Sequence, residues 1–109
     1  MLFIETPLFT KLIQELVPDE NYRLLQQTLI LRPETGDLIQ GGGGLRKIRW
    51  KLPGRGKRGG LRIIYYWNVS ADTIYMLLPY LKNKQEDLTP AQLKMLRQLI
   101  TIPSPLKPN

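Results

Sequence analysis

Apolar positions along this chain recur at two different spacings, and the switch between them divides the sequence into elements. Phe9, Leu12, Ile13, Leu16 and Val17 return every three or four residues, the stripe of a helix with one buried face. Thr6 reads as its N-cap and Pro7 as its first helical residue, where the missing N–H costs nothing. Pro18 stops that helix. Asp19 is placed to cap a second one running to about Arg32, with Tyr22, Leu25 and Leu29 facing inward and Pro33 closing it. Residues 2–5 form a short extended segment ahead of both. Residues 34–44 read as a connection, its run of glycines at 41–44 allowing a tight bend.

From residue 45 the period changes to two. Ile48, Trp50 and Leu52 alternate with Lys47, Arg49 and Lys51, as in a strand with one buried face. Residues 61–67 are a denser β-branched and aromatic run, the more buried neighbour. The glycine- and charge-rich segment between them is a turn, which makes a hairpin with a cationic face and tip. A polar turn over 68–72 leads to a third strand, 73–80. Helical spacing then returns. Thr89 is the N-cap, Pro90 opens the helix, Gln92 completes a capping box, and Leu88 with Leu93 form a hydrophobic staple. Leu93, Leu96, Leu99 and Ile100 supply the apolar stripe. The expected order is β-α-α-β-β-β-α, an α+β fold whose antiparallel sheet, mixed at its edge, carries the helices on one face. One domain spans 1–102, and 103–109 is a proline-rich tail expected to be disordered.

Composition sharpens this picture mainly through charge. The chain has 109 residues, enough for one core, with a net charge of +7. Eight of its 16 Lys and Arg fall between Arg46 and Arg62, with no acidic residue among them. Charged runs are usually just solvated faces. Here, however, uncompensated positives on adjacent strands repel one another and gain nothing on folding without an anionic partner. Nucleic acid is the first candidate, since counterion release drives its binding. A membrane surface fits less well, because the charge sits on a hairpin rather than an amphipathic helix. No signal peptide or long apolar run is read, so a cytoplasmic protein is expected.

With no Cys and no His, thiolate chemistry and transition-metal sites are not expected, and no cofactor is implied. The glycine run lacks phosphate-loop spacing and precedes a strand, so it reads as a turn. The carboxylates look like caps and solvated faces, Glu86 and Asp87 suiting the dipole of the last helix. Among the aromatics, strand parity sends Trp50 inward with Ile48. Tyr80 and Tyr66 remain as candidates for exposed base-stacking. Tyr80 and Lys82 share a parity at the end of the third strand, where Lys82 could equally be a charge blunting a sheet edge.

The stretches GGLRKIR at 43–49, GKRGGLRIIYY at 56–66 and YLKN at 80–83 resemble the RelE/HigB-type toxins of bacterial toxin–antitoxin modules. The likeness extends over nearly the whole chain in element order. It implies a small RelE-like fold and a ribosome-dependent endoribonuclease that cuts messenger RNA in the decoding site. It also implies a cytoplasmic protein, monomeric when free, held inactive by a cognate antitoxin and contacting ribosomal RNA and mRNA. By motif, Lys47 and Arg49 match the basic pair of the first hairpin strand. Arg62 matches the arginine opening the second strand, Lys82 or its neighbour the basic residue ending the third, and Lys57 with Arg58 the basic loop. Tyr80 joins the catalytic candidates, while Arg46, Lys51, Arg55 and Lys84 join Lys57 and Arg58 as RNA- or ribosome-binding candidates. Two departures stand out. Asp87, Leu88 and Thr89 occupy the region of a C-terminal tyrosine that some members use, and the histidines and aspartate of other HigB-type members have no counterpart.

These residue types permit cleavage by the RNA's own 2′-hydroxyl without a metal. Arg62 suits charge stabilisation with its planar fork of donors. Lys47 could serve as base if like-charged neighbours favour its neutral form, and Lys82 or Tyr80 could protonate the leaving 5′-oxygen. Two other functions remain open. ParE-type toxins resemble the same scaffold but poison DNA gyrase, and a non-catalytic RNA-binding module would use the same positive charge.

Overall fold

Thr6 shows how the N-terminus is tied to the sheet. In the computed structural model, which describes residues 1–52 and 60–101, strand β1 (Leu2–Glu5) leads directly into helix α1 (Pro7–Leu16). The Thr6 hydroxyl accepts from the Phe9 N–H at 3.0 Å and donates to the Leu77 carbonyl at 2.9 Å. One side chain therefore caps α1 and pins it to a neighbouring strand. Helix α2 (Asp19–Leu31) begins differently from the sequence expectation. Pro18 is its N-cap, no side chain caps it, and Asp19 is the first helical residue. Its carboxylate sits with Glu20 in the first turn, where it suits the helix dipole.

Five strands follow the order β1-β5-β4-β3-β2. They comprise β1 with β2 (Asp37–Leu38), β3 (Leu45–Trp50), β4 (Leu61–Asn68) and β5 (Thr73–Leu81), and α3 (Pro90–Thr101) closes the chain. β1 runs parallel to β5, and all other neighbours are antiparallel. This is a mixed sheet in an α+β domain, with its parallel pair at one edge. The connection 34–44 was expected to be irregular and instead supplies the two-residue edge strand β2. The glycine turn after it uses positive φ at Gly41, Gly43 and Gly44. At Gly44 a Cβ would also lie 2.9 Å from the Tyr66 ring, so the position needs glycine twice over.

The helices do not share one face, contrary to the expectation. Phe9, Ile13, Leu25 and Leu29 of α1 and α2 pack with Ile48, Ile63, Tyr65 and Met76. Leu96 of α3 is buried with Leu45, Ile64, Tyr75 and Leu78 on the opposite side. The apolar content of β5 is the physical reason. All nine of its residues are buried, so both faces need a cover. The capping box expected for α3 is formed, Gln92 N–H donating to Thr89 Oγ1 at 3.1 Å and Thr89 N–H to Gln92 Oε1 at 3.0 Å.

A β-bulge interrupts the central pairing. Ile64 lies opposite Leu78 and Tyr65 opposite Met76, which leaves Leu77 as an extra residue in β5. Simple alternation would put Tyr80 on the side of Met76. The bulge reverses the parity, and Tyr80 joins Ile64 and Leu96 on the α3 side. Pro79 lies beyond the β1 ladder, which ends at the Glu5–Met76 pair. There β5 is an edge on that side, a place where a strand tolerates a residue without an N–H.

Candidate functional site

Strand register assembles a row of polar side chains on the α3 face of the sheet. Arg49 on β3 lies opposite Arg62 on β4, and Arg62 lies opposite Tyr80 on β5. Directly opposed residues on one face hold their Cβ atoms about 4.5–5.5 Å apart, so these three side chains are neighbours. One step along, Lys47 shares the parity of Arg49 and lies between Asp37 on β2 and Ile64 on β4. Four of the five expected catalytic residues are thus on one patch. The bulge at Leu77 is what brings the tyrosine into it.

Arg62 is the unusual member. It is 8% exposed, and among the described residues its guanidinium makes a single hydrogen bond, a 3.4 Å contact from Nη1 to the Leu61 carbonyl. No carboxylate pairs with it among the described residues, which include all nine Asp and Glu of the chain. Glu5, the acid one might assign to it, instead accepts hydrogen bonds from Thr10 Oγ1 at 2.6 Å and from the Tyr22 hydroxyl. Like charges directly across a ladder destabilise each other, and Arg49 is such a neighbour. A buried, under-bonded cation facing a second cation is an arrangement that an anion would relieve.

Tyr80 departs from the expectation of an exposed stacking residue. It is 7% exposed, and its Oη is buried without a hydrogen-bond partner among the described residues. Burial pushes its ionisation above the ordinary tyrosine value, the Asp87 carboxylate pushes it further, and Arg62 opposes both. The hydroxyl therefore keeps its proton at neutral pH and is a free donor. Tyr66, the other stacking candidate, is half-buried against Tyr75. Trp50 packs half-buried among the α1–α2 core residues, as its parity implied.

Lys47 does not stand among positive charges alone. Its Nζ lies 3.0 Å from Asp87 Oδ1, across 40 residues of sequence. Asp37, its partner across the ladder, makes no ion pair with it. The sequence reading assigned Asp87 to the helix dipole and missed this contact. No local pattern joins positions so far apart, so no signal for it existed in the sequence.

The remaining candidates separate. Arg46 lies on the other face, with the parity of Ile48, and donates to the Gly36 and Glu34 carbonyls at 2.8 and 3.2 Å. It clamps the turn ahead of β2. Lys82 is exposed one residue past β5, its N–H donating to the Gly60 carbonyl at 3.0 Å. Lys51 is exposed one residue past β3, and Lys84 is exposed in the connection to α3. Arg55, Lys57 and Arg58, the start of the tail at 103 and its expected disorder all lie outside the described residues. Among the described residues no helix is long and apolar enough to cross a membrane. No protein-family model matches the chain.

Chemically, the patch offers two guanidinium groups, an ammonium and a protonated phenol along one largely apolar sheet face. Such a set binds a phosphodiester, stabilises added negative charge on it, and can hand one proton to a leaving oxygen.

Proposed function

We propose that the chain is a RelE/HigB-type toxin, a ribosome-dependent endoribonuclease that cuts messenger RNA and so inhibits translation. The observation that carries the reading is Arg62, more than nine-tenths buried, unpaired with any Asp or Glu and flanked by Arg49 and Tyr80. A fold gains no stability from that arrangement, and a transition state of higher negative charge does. In the proposed reaction the 2′-hydroxyl of the substrate gives its proton to solvent water and attacks the adjacent phosphate. The 2′,3′-cyclic phosphate forms as the bond to the 5′-oxygen breaks. Arg62 and Arg49 stabilise the phosphorane-like transition state, Lys47 adds positive charge to the phosphate seat, and Tyr80 protonates the leaving 5′-oxygen. Solvent then returns a proton to Tyr80. Lys82, Lys51 and Lys84 extend the positive surface toward the flanking backbone. The chain has no histidine to take the 2′-hydroxyl proton near neutral pH. In-line positioning of the RNA by the ribosome therefore has to supply much of the rate. The site of action is the cytoplasm, and an antitoxin with an acidic segment would silence the toxin by covering the same face.

The test is incubation of the purified chain with programmed ribosomes, followed by mapping of mRNA ends. Cleavage within the decoding-site codon, absent when ribosomes are omitted, supports the reading. Intact mRNA together with inhibition of gyrase supercoiling would replace it with the ParE-type activity. RNA binding without cleavage would reduce it to a binding module.

A further inference from the structure

The Lys47–Asp87 pair bears on how the patch is regulated. Asp87 belongs to the connection 82–89 between β5 and α3, and its side chain is 73% exposed. Its Oδ1 accepts from Lys47 at 3.0 Å, and its backbone carbonyl accepts from Gln85 Nε2 at 2.9 Å. It contributes nothing to the cap of α3, which Thr89 and Gln92 complete between themselves. On the same face lie the Tyr80 hydroxyl, buried and without a hydrogen-bond partner among the described residues, and Arg62, 8% exposed with one 3.4 Å hydrogen bond among them. The carboxylate is close enough for Tyr80 to feel its charge. So the free protein holds an anion of its own on one cation of the patch, beside a buried tyrosine hydroxyl with no acceptor among the described residues.

Resting on the nuclease reading above, we propose that Asp87 is an internal stand-in for an RNA phosphate. It occupies Lys47 in the free chain, and substrate RNA must displace it. The connection 82–89 then acts as an autoinhibitory strap whose release frees Lys47 for the RNA backbone. An exposed ion pair is a weak latch, worth at most about 1 kcal/mol, so its removal should tighten RNA binding by up to about fivefold.

The experiment is a double-mutant cycle read by fluorescence anisotropy with a short single-stranded 2′-O-methyl RNA, which the protein cannot cleave. Asp87→Asn should tighten binding about threefold to fivefold at low salt, with the advantage shrinking as salt rises. In a Lys47→Met background the same change should gain less than about twofold, because the seat for which Asp87 competes is gone. Thermal melts on the same preparations verify that each variant is folded. An Asp87→Asn affinity equal to or weaker than that of the parent would overturn the inference. So would a gain that persists undiminished in the Lys47→Met background, since Asp87 would then act only as a general repulsive charge. If neither the parent nor any variant binds RNA, this inference is overturned, while the nuclease reading is decided separately by the programmed-ribosome assay. RNA binding that ignores Asp87 defeats this inference alone.

Discussion

Replacing Arg62 by methionine should make the protein more stable and nearly inactive at once. The side chain is 8% exposed, faces Arg49 across the ladder, and makes one long hydrogen bond. Methionine keeps most of the aliphatic stem and removes the charge. Desolvating a guanidinium that no Asp or Glu pairs with costs on the order of 1–3 kcal/mol, and like-charge opposition in a sheet about 0.2–1 kcal/mol. Some of this is lost again through imperfect packing of the smaller side chain, so a net gain of about 1 kcal/mol is expected. For a domain of this size that raises Tm by roughly 4–8 °C. Single-turnover cleavage of mRNA on ribosomes should fall by about 10²-fold or more, the scale of losing one transition-state donor. Ribosome affinity should change far less, since the other positive residues remain. Arg62→Lys should recover little activity, because it lacks the bidentate fork. Both quantities can be read from one preparation by calorimetry and quenched-flow assay. A melting temperature that falls by several degrees, with unchanged cleavage per folded molecule, would show that Arg62 is structural and refute the argument.

Other consequences can be checked independently. Tyr80→Phe should lower the cleavage rate by roughly 10²-fold, the usual scale of losing a general acid, with little effect on RNA affinity; an unchanged rate would remove the tyrosine from the chemistry. Tyr22, Tyr65 and Tyr80 all ionise above the ordinary tyrosine value of 10.0, chiefly because burial disfavours the phenolate. The unfolded chain releases those protons first, so stability is retained below about pH 10 and lost as pH rises beyond it. Urea unfolding across the alkaline range should show that decline, and a flat profile to pH 12 would contradict the burial of these groups. Gly36→Ala would place a Cβ 2.7 Å from the Tyr65 ring and 3.1 Å from the Lys47 backbone. It should cost about 1–3 kcal/mol in a denaturant melt, because Tyr65 is fixed by hydrogen bonds to the Pro33 carbonyl and the Gly36 N–H.

The elements that the sequence revealed are those with a local physical cause. Thr6 and Pro7, and Thr89, Pro90 and Gln92, mark helix starts by chemistry confined to a few residues, and both starts are where expected. Alternation along β3 correctly turned Lys47 and Arg49 away from Ile48 and Trp50. The same alternation already separated Arg46 from them, and it lies on the other face with its guanidinium on the Gly36 and Glu34 carbonyls. β2 has only two residues, too few to display any period. The second cover of the sheet followed from the unbroken apolar run of β5, which also fits a strand buried from one side at an edge. The Leu77 bulge left no trace in the sequence, because an extra apolar residue in an apolar strand does not disturb the pattern. Yet it decides the side on which Tyr80 lies. The Lys47–Asp87 contact depends on how the connection after β5 crosses the sheet, and spacing along the chain carries no information about that.

The most direct test of the central claim places a single 2′-deoxynucleotide at the scissile position of an mRNA held on the ribosome, with the all-ribose mRNA alongside. Attack by the 2′-hydroxyl predicts cleavage of the ribose substrate to a 2′,3′-cyclic phosphate and a 5′-hydroxyl end, and none of the deoxy substrate. Equal cleavage of both, or ribose product that ends in a 3′-hydroxyl and a 5′-phosphate, would contradict it.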